Sequence, residues 1–187
     1  MNPGKTFYTA ERQVWRAWLK EHHKTEKEIW LVYYRKDSGK PRIPYNDAVE
    51  EALCFGWIDS TLAKVDHESF AQRFTPRRKN SQLSEMNKER IRRLLKQKKM
   101  TRAGLAAVDH AFDKSPGKPK FSIPSDILKA LKRDKTTWNN FQQFPDSYKR
   151  IRIGWIDGSR NRPDFFKQRL NYFLKMTKAN KRFGMVQ

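Results

Sequence analysis

The sequence predicts an α+β fold, in which a small antiparallel sheet packs against helices and an all-helical C-terminal segment follows. Three observations predict it: a β-rich run near residue 30, a switch to period-two spacing after Gly56, and repeated helical apolar spacing after residue 120. The 187 residues suffice for one domain with a smaller partner. The expected division is an α+β domain at 1–114, a linker at 115–120 and a helical segment at 121–187.

Three strands are expected in the first domain. Glu28–Tyr34 is dense in β-branched and aromatic residues, which favours a central strand. After Gly56, alternation predicts strands over Trp57–Val65 and Ser69–Thr75, joined at the loop Asp66–Glu68. The three together make the small antiparallel sheet.

The length of that loop sets the expected register of the hairpin. Counting back from it places Val65 opposite Ser69 and Asp59 opposite Thr75. One face, expected to be core, then carries Ile58, Leu62, Phe70 and Phe74. The other face carries Trp57, Asp59, Thr61, Arg73, Thr75 and Arg77. This second face is either an exposed surface with cross-strand ion pairs or the wall of a polar pocket.

Helical apolar spacing accounts for most of the remaining chain. In the first domain it predicts helices over Ala10–His22, Asn46–Phe55, Glu85–Lys99 and Arg102–Phe112. In the C-terminal segment it predicts helices around Ile127, around Trp138, over Tyr148–Ile156 and after Pro163. The chain then ends in a basic tail from Lys175 to Arg182 that is expected to fray.

Charge is the largest anomaly of the composition. The chain has 41 lysines and arginines against 20 acidic residues, a formal charge of +21. Such a field attracts polyanions, which include nucleic acid, anionic membrane surfaces and phosphorylated small molecules. The alternative is that the charge only keeps the protein soluble. Both readings stay open at this point.

Cysteine and histidine usage argues against several chemistries. The lone Cys54 excludes an intrachain disulfide and a multi-thiolate zinc site, and the four histidines lie in no metal-ligand spacing. We therefore expect no metal and no cofactor. No apolar run approaches the roughly 20 residues that span a bilayer, and no secretory h-region opens the chain, so a cytoplasmic location is expected.

An arginine-rich turn precedes the helix that begins near Glu85. Arg77, Arg78, Ser81 and Ser84 come together before this helix N-terminus. Free backbone N–H groups at a helix start favour an anion, and arginine adds a bidentate fork for phosphate or carboxylate. The turn is thus a candidate anion site.

The segments ALCFGWIDS, RFTPRRKNS and SEMNKER resemble the YdeI/OmpD-associated family, also called the bacteriocin-protection family. The C-terminal segment PDSYKRIRIGWIDGS is similar to the family's second, helical part. Residues that match the family's characteristic positions are Cys54, Gly56, Trp57, Asp59, Arg73, Pro76, Arg77, Arg78, Ser81, Ser84 and Asn87. The chain departs from the family at Leu83, where tryptophan is usual, and at Gly158–Ser159, where an Ala-Lys pair is common. The family name describes a protective phenotype, so the resemblance implies no particular reaction.

These observations support three hypotheses. The first is a non-catalytic binder of a phosphorylated or carboxylated ligand, held by Trp57, Asp59, Arg73, Arg77, Arg78, Ser81, Ser84 and Asn87. The second is nucleic-acid binding through the basic helix Glu85–Lys99 and the C-terminal tail. The third is a hydrolase-like enzyme that uses Asp59 as base or Cys54 as nucleophile. No catalytic residue is assigned, because no base, orienting group and nucleophile fall together in the sequence.

Overall fold

The computed structural model describes residues 2–112 and 121–184, and the chain divides into two compact units. The first unit consists of Met1–Gln82 and Arg90–Asp113, and the second of Leu83–Glu89 and Lys114–Gln187. The linker predicted at 115–120 lies outside the described residues. A sheet with packed helices is followed by further helices, which confirms the predicted α+β class.

The first unit contains a four-stranded sheet whose strand order is β1-β2-β4-β3. Its strands are β1 (Thr6–Tyr8), β2 (Ile29–Tyr34), β3 (Trp57–Lys64) and β4 (Ser69–Pro76). The three predicted strands pair in antiparallel fashion, whereas β1 pairs with β2 in parallel. The sheet is therefore mixed, and β2 is central as expected. Strand β1 escaped prediction because its three residues are too few to show a period.

The predicted register of the β3–β4 hairpin is right near the loop and wrong beyond a β-bulge. Leu62 pairs with Gln72 as the loop length requires, but Asp59 pairs with Phe74 instead of Thr75. Two residues of β3, Ser60 and Thr61, lie against the single residue Arg73 of β4. The extra residue reverses the expected faces for the first part of β3.

The bulge places Trp57 and Asp59 on the same face of the sheet as Phe74, with Arg73 and Ile58 on the opposite face. The predicted polar face, which joined Trp57 and Asp59 to Arg73, is therefore wrong. The predicted core face is wrong at Ile58 for the same reason. Leu62 keeps the predicted face but is 59% exposed, because it lies on an edge strand.

Helices α1 (Arg12–His22) and α2 (Tyr45–Cys54) pack on the face of the sheet that carries Phe74. The ring of Trp15 lies 5.4 Å from the ring of Phe74, and its indole N–H donates to the carbonyl of Ala48 at 3.0 Å. Trp15 is fully buried. Its bulk and its hydrogen bond to the backbone of α2 fix the two helices over the sheet.

Helix α3 (Glu85–Lys96) begins in the second unit and continues in the first, where α4 (Arg102–Val108) follows it. Thr101 caps α4, since its hydroxyl accepts a hydrogen bond from the backbone N–H of Gly104. The Thr101 hydroxyl and amide both donate to the carbonyl of Cys54, at 2.7 and 3.0 Å. The start of α4 is thereby bonded to the end of α2. Short 3₁₀ turns occupy Lys36–Ser38 and Asp109–Ala111.

The second unit is helical, as predicted. It contains α5 (Ser125–Lys132), α6 (Lys135–Gln143), α7 (Asp146–Asp157) and α8 (Pro163–Lys178). Their buried residues form one core, which includes Phe141, Tyr148 and Phe173. Phe183 packs against this core, with its ring edge to face with the ring of Tyr172 at 4.8 Å. The tail that was expected to fray is therefore held in place as far as Phe183.

Candidate functional site

Trp57 is a core residue and lines no accessible surface. Its side chain is 1% exposed, and its indole N–H donates to the backbone carbonyl of His23 at 3.1 Å. Gly56 precedes it with a positive φ of 77°, a conformation that glycine adopts without strain. This turn carries the chain from α2 directly into β3. Trp57 therefore secures the junction of α1, α2 and β3.

Asp59 belongs to a half-buried polar cluster in the first unit. Its Oδ2 accepts a 2.7 Å hydrogen bond from the hydroxyl of Tyr45. Burial and this hydrogen bond raise the pKa of Tyr45. The hydroxyl of Tyr33 is buried and has no hydrogen-bond partner among the described residues, and its pKa is raised by burial and by the nearby charges of Tyr45 and Asp59. Tyr33 and Tyr45 escaped prediction because their aromatic side chains at strand and helix positions are typical of core residues.

Arg73 is paired on the opposite face of the sheet. Its guanidinium binds Oε2 of Glu28 through Nη2 and, at 2.8 Å, through Nε. The hydrogen bonds from Arg73 and from Trp30 lower the pKa of Glu28. Arg73 therefore has its counter-charge and does not meet Asp59.

The segment Arg77–Gln82, here called the arginine turn, is organised by Arg77. Its Nη2 donates to the carbonyl and hydroxyl of Ser81, at 3.2 and 3.0 Å, and to the carbonyl of Gln82 at 3.0 Å. Its backbone N–H donates to the carbonyl of Gly56 at 2.9 Å, which fixes the turn to the end of α2. Asn80 supports the reversal with a φ of 59°. The structure thus brings Arg77 and Ser81 into direct contact.

The partners of Arg77 are all neutral oxygen atoms. Its guanidinium is half-buried, its Nε is buried and has no hydrogen-bond partner in the part of the chain that the structure describes, and burial lowers its pKa. Within residues 2–112 and 121–184, no carboxylate pairs with Arg77 or with its exposed neighbour Arg78. The other half of the turn is held by Ser81, whose carbonyl lies 2.9 Å from Nε2 of His110.

Ser84 and Asn87 belong to the second unit, so the eight predicted residues are divided between the units. The hydroxyl of Ser84 accepts a 3.3 Å hydrogen bond from the backbone N–H of Asn87. This contact caps the first turn of α3. Within the first unit, Arg77 and Ser81 come together, while Trp57, Asp59 and Arg73 lie elsewhere in the fold.

Cys54 lies in an environment that suppresses thiolate chemistry. The residue is fully buried at the end of α2. Burial and the adjacent charge of Glu51 raise the pKa of its thiol, and the guanidinium of Arg16 opposes them only in part. A reactive cysteine needs a lowered pKa and access for its substrate. Cys54 has the properties of a packing residue.

The basic face of α3 is partly neutralised within the first unit. Arg93 pairs with Glu50, and the buried Arg90 donates to Oδ1 of Asn46 at 2.7 Å. Glu50 also binds Arg12 at 3.1 Å, within a network that continues to Glu51. Arg90 and Arg93 are thus engaged within the protein, although the nucleic-acid hypothesis counts both among the basic residues of α3.

Residues 2–112 and 121–184 contain neither a metal-binding cluster nor a membrane-spanning helix. In this part of the chain, no three His, Cys, Asp or Glu side chains are grouped so that they could hold a metal ion. No helix there has both the length and the apolar character that crossing a membrane requires.

Two protein families match the chain over separate regions. Residues 7–107 match the family described as "Domain of unknown function (DUF8412)". Residues 120–180 match the family described as "Bacteriocin-protection, YdeI or OmpD-Associated". The second match confirms the resemblance noted from the sequence for the C-terminal segment, and it extends across Gly158–Ser159, where the chain departs from the usual residues. The segments ALCFGWIDS, RFTPRRKNS and SEMNKER lie in the region that matches the first family. Neither a curated protein nor a solved structure matches the chain significantly.

Proposed function

We propose that this chain, which belongs to the family described as "Domain of unknown function (DUF8412)", is a non-catalytic binding protein for a phosphorylated or carboxylated small molecule. The ligand would bind at the arginine turn, with Arg77 and Arg78 as its cationic contacts and Ser81 beside them. One observation carries the proposal: Arg77 is a half-buried cation whose hydrogen-bond partners are neutral oxygen atoms.

A half-buried charge without a counter-charge is unfavourable, because burial removes part of its hydration. Other partly buried arginines of the first unit, among them Arg12, Arg16 and Arg73, avoid this cost by pairing with carboxylates. Arg77 has only carbonyl and hydroxyl dipoles, and burial lowers its pKa. An anion that approached the turn would supply the absent charge, and its binding would be favoured by that relief.

Exposed cations beside Arg77 would strengthen the attraction. Arg78 and Lys79 lie at the surface of the same turn. An exposed guanidinium can turn toward a ligand without losing an existing ion pair, and its planar fork matches phosphate and carboxylate oxygens. Arg78 is therefore the residue that tests the proposal most cleanly, because its removal leaves the contacts of Arg77 intact.

Calorimetric titration of the full chain with pyrophosphate and with citrate would test the site. Arg78→Ala should weaken binding of either probe by about tenfold, the effect of losing one charge-assisted hydrogen bond. Arg35→Ala is the matched control, since Arg35 is another exposed arginine of the first unit. Equal loss in both variants would indicate attraction by net charge alone and would contradict a site at the turn. Absence of binding to both probes would also contradict it.

A further inference from the structure

Two arginines and two aromatic residues alternate along one side of α8 and the residue just before it. Phe165, Arg169 and Tyr172 follow one another at intervals of four and three residues, which places them on one side of the helix. Arg162 is the N-cap residue that precedes α8, and its guanidinium lies over the ring of Phe165 on the same side. The buried side of α8 is formed by other residues, among them Phe166, Leu170, Phe173 and Leu174, which pack on the core of the second unit. The four residues are called the α8 ladder below.

The two aromatic rings of the α8 ladder are unusually exposed. Phe165 is 49% exposed and Tyr172 is 46% exposed, although the second unit offers an apolar core to other aromatic residues of the same helix. Seven residues separate the rings, which corresponds to about 10 Å along the helix axis. The edge of Tyr172 is supported by Phe183, whose ring centroid lies 4.8 Å away. Both rings therefore present surface to solvent, and the ring of Tyr172 is packed against Phe183.

The arginines of the α8 ladder are held beside aromatic rings. The guanidinium of Arg162 lies 4.9 Å from the ring centroid of Phe165, and that of Arg169 lies 4.7 Å from the ring centroid of Trp155. Arg169 also donates to the carbonyl of Trp155 at 2.6 Å. Burial and the positive charge of Arg162 lower the pKa of Arg169. The two arginines thus repel each other, and neither pairs with a carboxylate in the part of the chain that the structure describes.

The sequence around the α8 ladder is strongly basic, which also favours an anionic partner. Residues 114–187 contain 18 lysines and arginines, five aspartates and no glutamate. Four of those aspartates are already engaged in ion pairs: Asp126 and Asp157 with Arg160, Asp134 with Lys178 and Asp146 with Lys149. A partner for the α8 ladder should therefore be anionic and should also offer flat apolar surface to the two rings.

We propose that the α8 ladder binds single-stranded nucleic acid, with Phe165 and Tyr172 stacking on bases and Arg162 and Arg169 contacting phosphates. Single strands present both features at once, because every base has a π-face and every nucleotide carries a negative charge. Stacking on exposed aromatic side chains combined with a basic surface is the usual basis of binding without sequence preference. The proposal concerns the second unit and does not depend on the arginine turn.

The alternation of the α8 ladder distinguishes this partner from an anionic membrane. A helix that lies in a membrane interface presents a continuous apolar face, with its cations on the other side. Here an arginine lies between the two rings on the same face. This arrangement suits a strand in which bases and phosphates alternate along its length, so the proposal assigns nucleic acid.

Fluorescence anisotropy with a labelled oligothymidylate of about 12 nucleotides, within the site sizes of single-strand binding proteins, would test the proposal on the full chain. Phe165→Ala and Tyr172→Ala should each weaken binding by at least about fivefold, which is the lower limit for losing one stacked base. Tyr172→Phe should bind like the unaltered protein, because its ring is retained. Phe121→Ala is the control, since Phe121 is an exposed aromatic residue of the same unit outside α8.

Salt dependence tests the arginines separately. Arg162→Gln should reduce the slope of log affinity against log salt by about 0.7, the value for one phosphate contact on a single strand. Phe165→Leu keeps most of the apolar bulk but lacks a π-face, so it should bind the oligonucleotide as weakly as Phe165→Ala. This variant separates the loss of stacking from any effect of the smaller alanine side chain on the fold. Unchanged affinity in the aromatic variants would overturn the proposal. Binding to vesicles of anionic phospholipid without binding to the oligonucleotide would overturn it as well.

Discussion

The hydroxyl of Tyr45 donates a 2.7 Å hydrogen bond to Oδ2 of Asp59, which joins the first residue of α2 to strand β3 just before the bulge. Tyr45→Phe leaves this half-buried carboxylate without that donor. We expect the free energy of unfolding to fall by about 2 kcal/mol, as for other hydrogen bonds to a charged group. Urea denaturation would measure the change.

Tyr34→Phe is the control for that experiment. Tyr34 lies in the same unit, and its hydroxyl makes no hydrogen bond within the described residues. Removing it should change the free energy of unfolding by less than about 0.5 kcal/mol. Equal effects of the two substitutions would show that the contact between Tyr45 and Asp59 contributes nothing particular to stability.

Tyr33 should respond in the opposite direction. Its buried hydroxyl has no hydrogen-bond partner within residues 2–112 and 121–184, so Tyr33→Phe removes a polar group whose desolvation no hydrogen bond offsets. The substitution should raise the free energy of unfolding by about 1 kcal/mol. The measurement is again urea denaturation at neutral pH. A loss of stability would mean that the hydroxyl has a partner in solution.

The raised pKa of Tyr33 leads us to expect that the free energy of unfolding falls at alkaline pH. Burial raises the pKa of Tyr33 above its ordinary value of 10.0, so the unfolded chain ionises first. Below pH 10 the phenol is neutral in both the folded and the unfolded chain, and its ionisation takes nothing from the free energy of unfolding. As the pH rises above 10, ionisation favours the unfolded chain and the free energy of unfolding falls. Tyr33→Phe should therefore lose less stability than the unaltered protein above this pH. Tyrosinate absorbance and circular dichroism, followed together, would check this.

Glu51 is the buried centre of an ion-pair network. It is 2% exposed, and its two oxygens bind Arg12 at 2.6 Å and Arg16 at 2.5 Å. Glu51→Gln should lower the free energy of unfolding by about 3 kcal/mol, the lower end for breaking a buried ion pair, since both arginines keep some solvent contact. Glu21→Gln, at an exposed position of α1, is the control and should change stability by less than about 0.5 kcal/mol.

Gly104 should reverse the usual preference of helices for alanine. A Cβ at this position would lie 2.2 Å from the carbonyl oxygen of Cys54, which belongs to the backbone and has little room to move. Gly104→Ala should therefore destabilise the first unit by about 2–3 kcal/mol. At an open helical position the same substitution stabilises by about 1 kcal/mol. A gain in thermal denaturation temperature would contradict the close packing of α4 on α2.

Local patterns in the sequence predicted the elements better than their pairing. The alternation after Gly56 and the helical spacing of α1, α2 and α3 depend on nearby residues, and these elements form close to the expected bounds. The register of β3 depends on a bulge at Ser60 and Thr61, and neither residue type indicates a bulge in the sequence. A shift of one residue was sufficient to separate Asp59 from Arg73.

In the candidate site, too, contacts between residues close in sequence could be predicted, and contacts between distant residues could not. The contact between Arg77 and Ser81 spans four residues and could be predicted from the turn itself. The partner of Arg73 is Glu28, which is 45 residues away and becomes a neighbour only through the pairing of β2 with β4. The exposure of the Phe165 and Tyr172 rings could not be predicted either, because exposure depends on how the whole helix packs.

Helix α3 has a consequence for how this protein can change in evolution. Leu83–Glu89 lies within the region that matches the first family, yet it belongs to the second unit, where Glu89 binds Arg150 at 2.6 Å and Leu83 is buried. A recombination event that exchanged only residues 120–180 with a relative would leave these contacts behind. The two matched regions should therefore be inherited together, and a hybrid gene joined between them should encode a second unit that lacks part of its own packing.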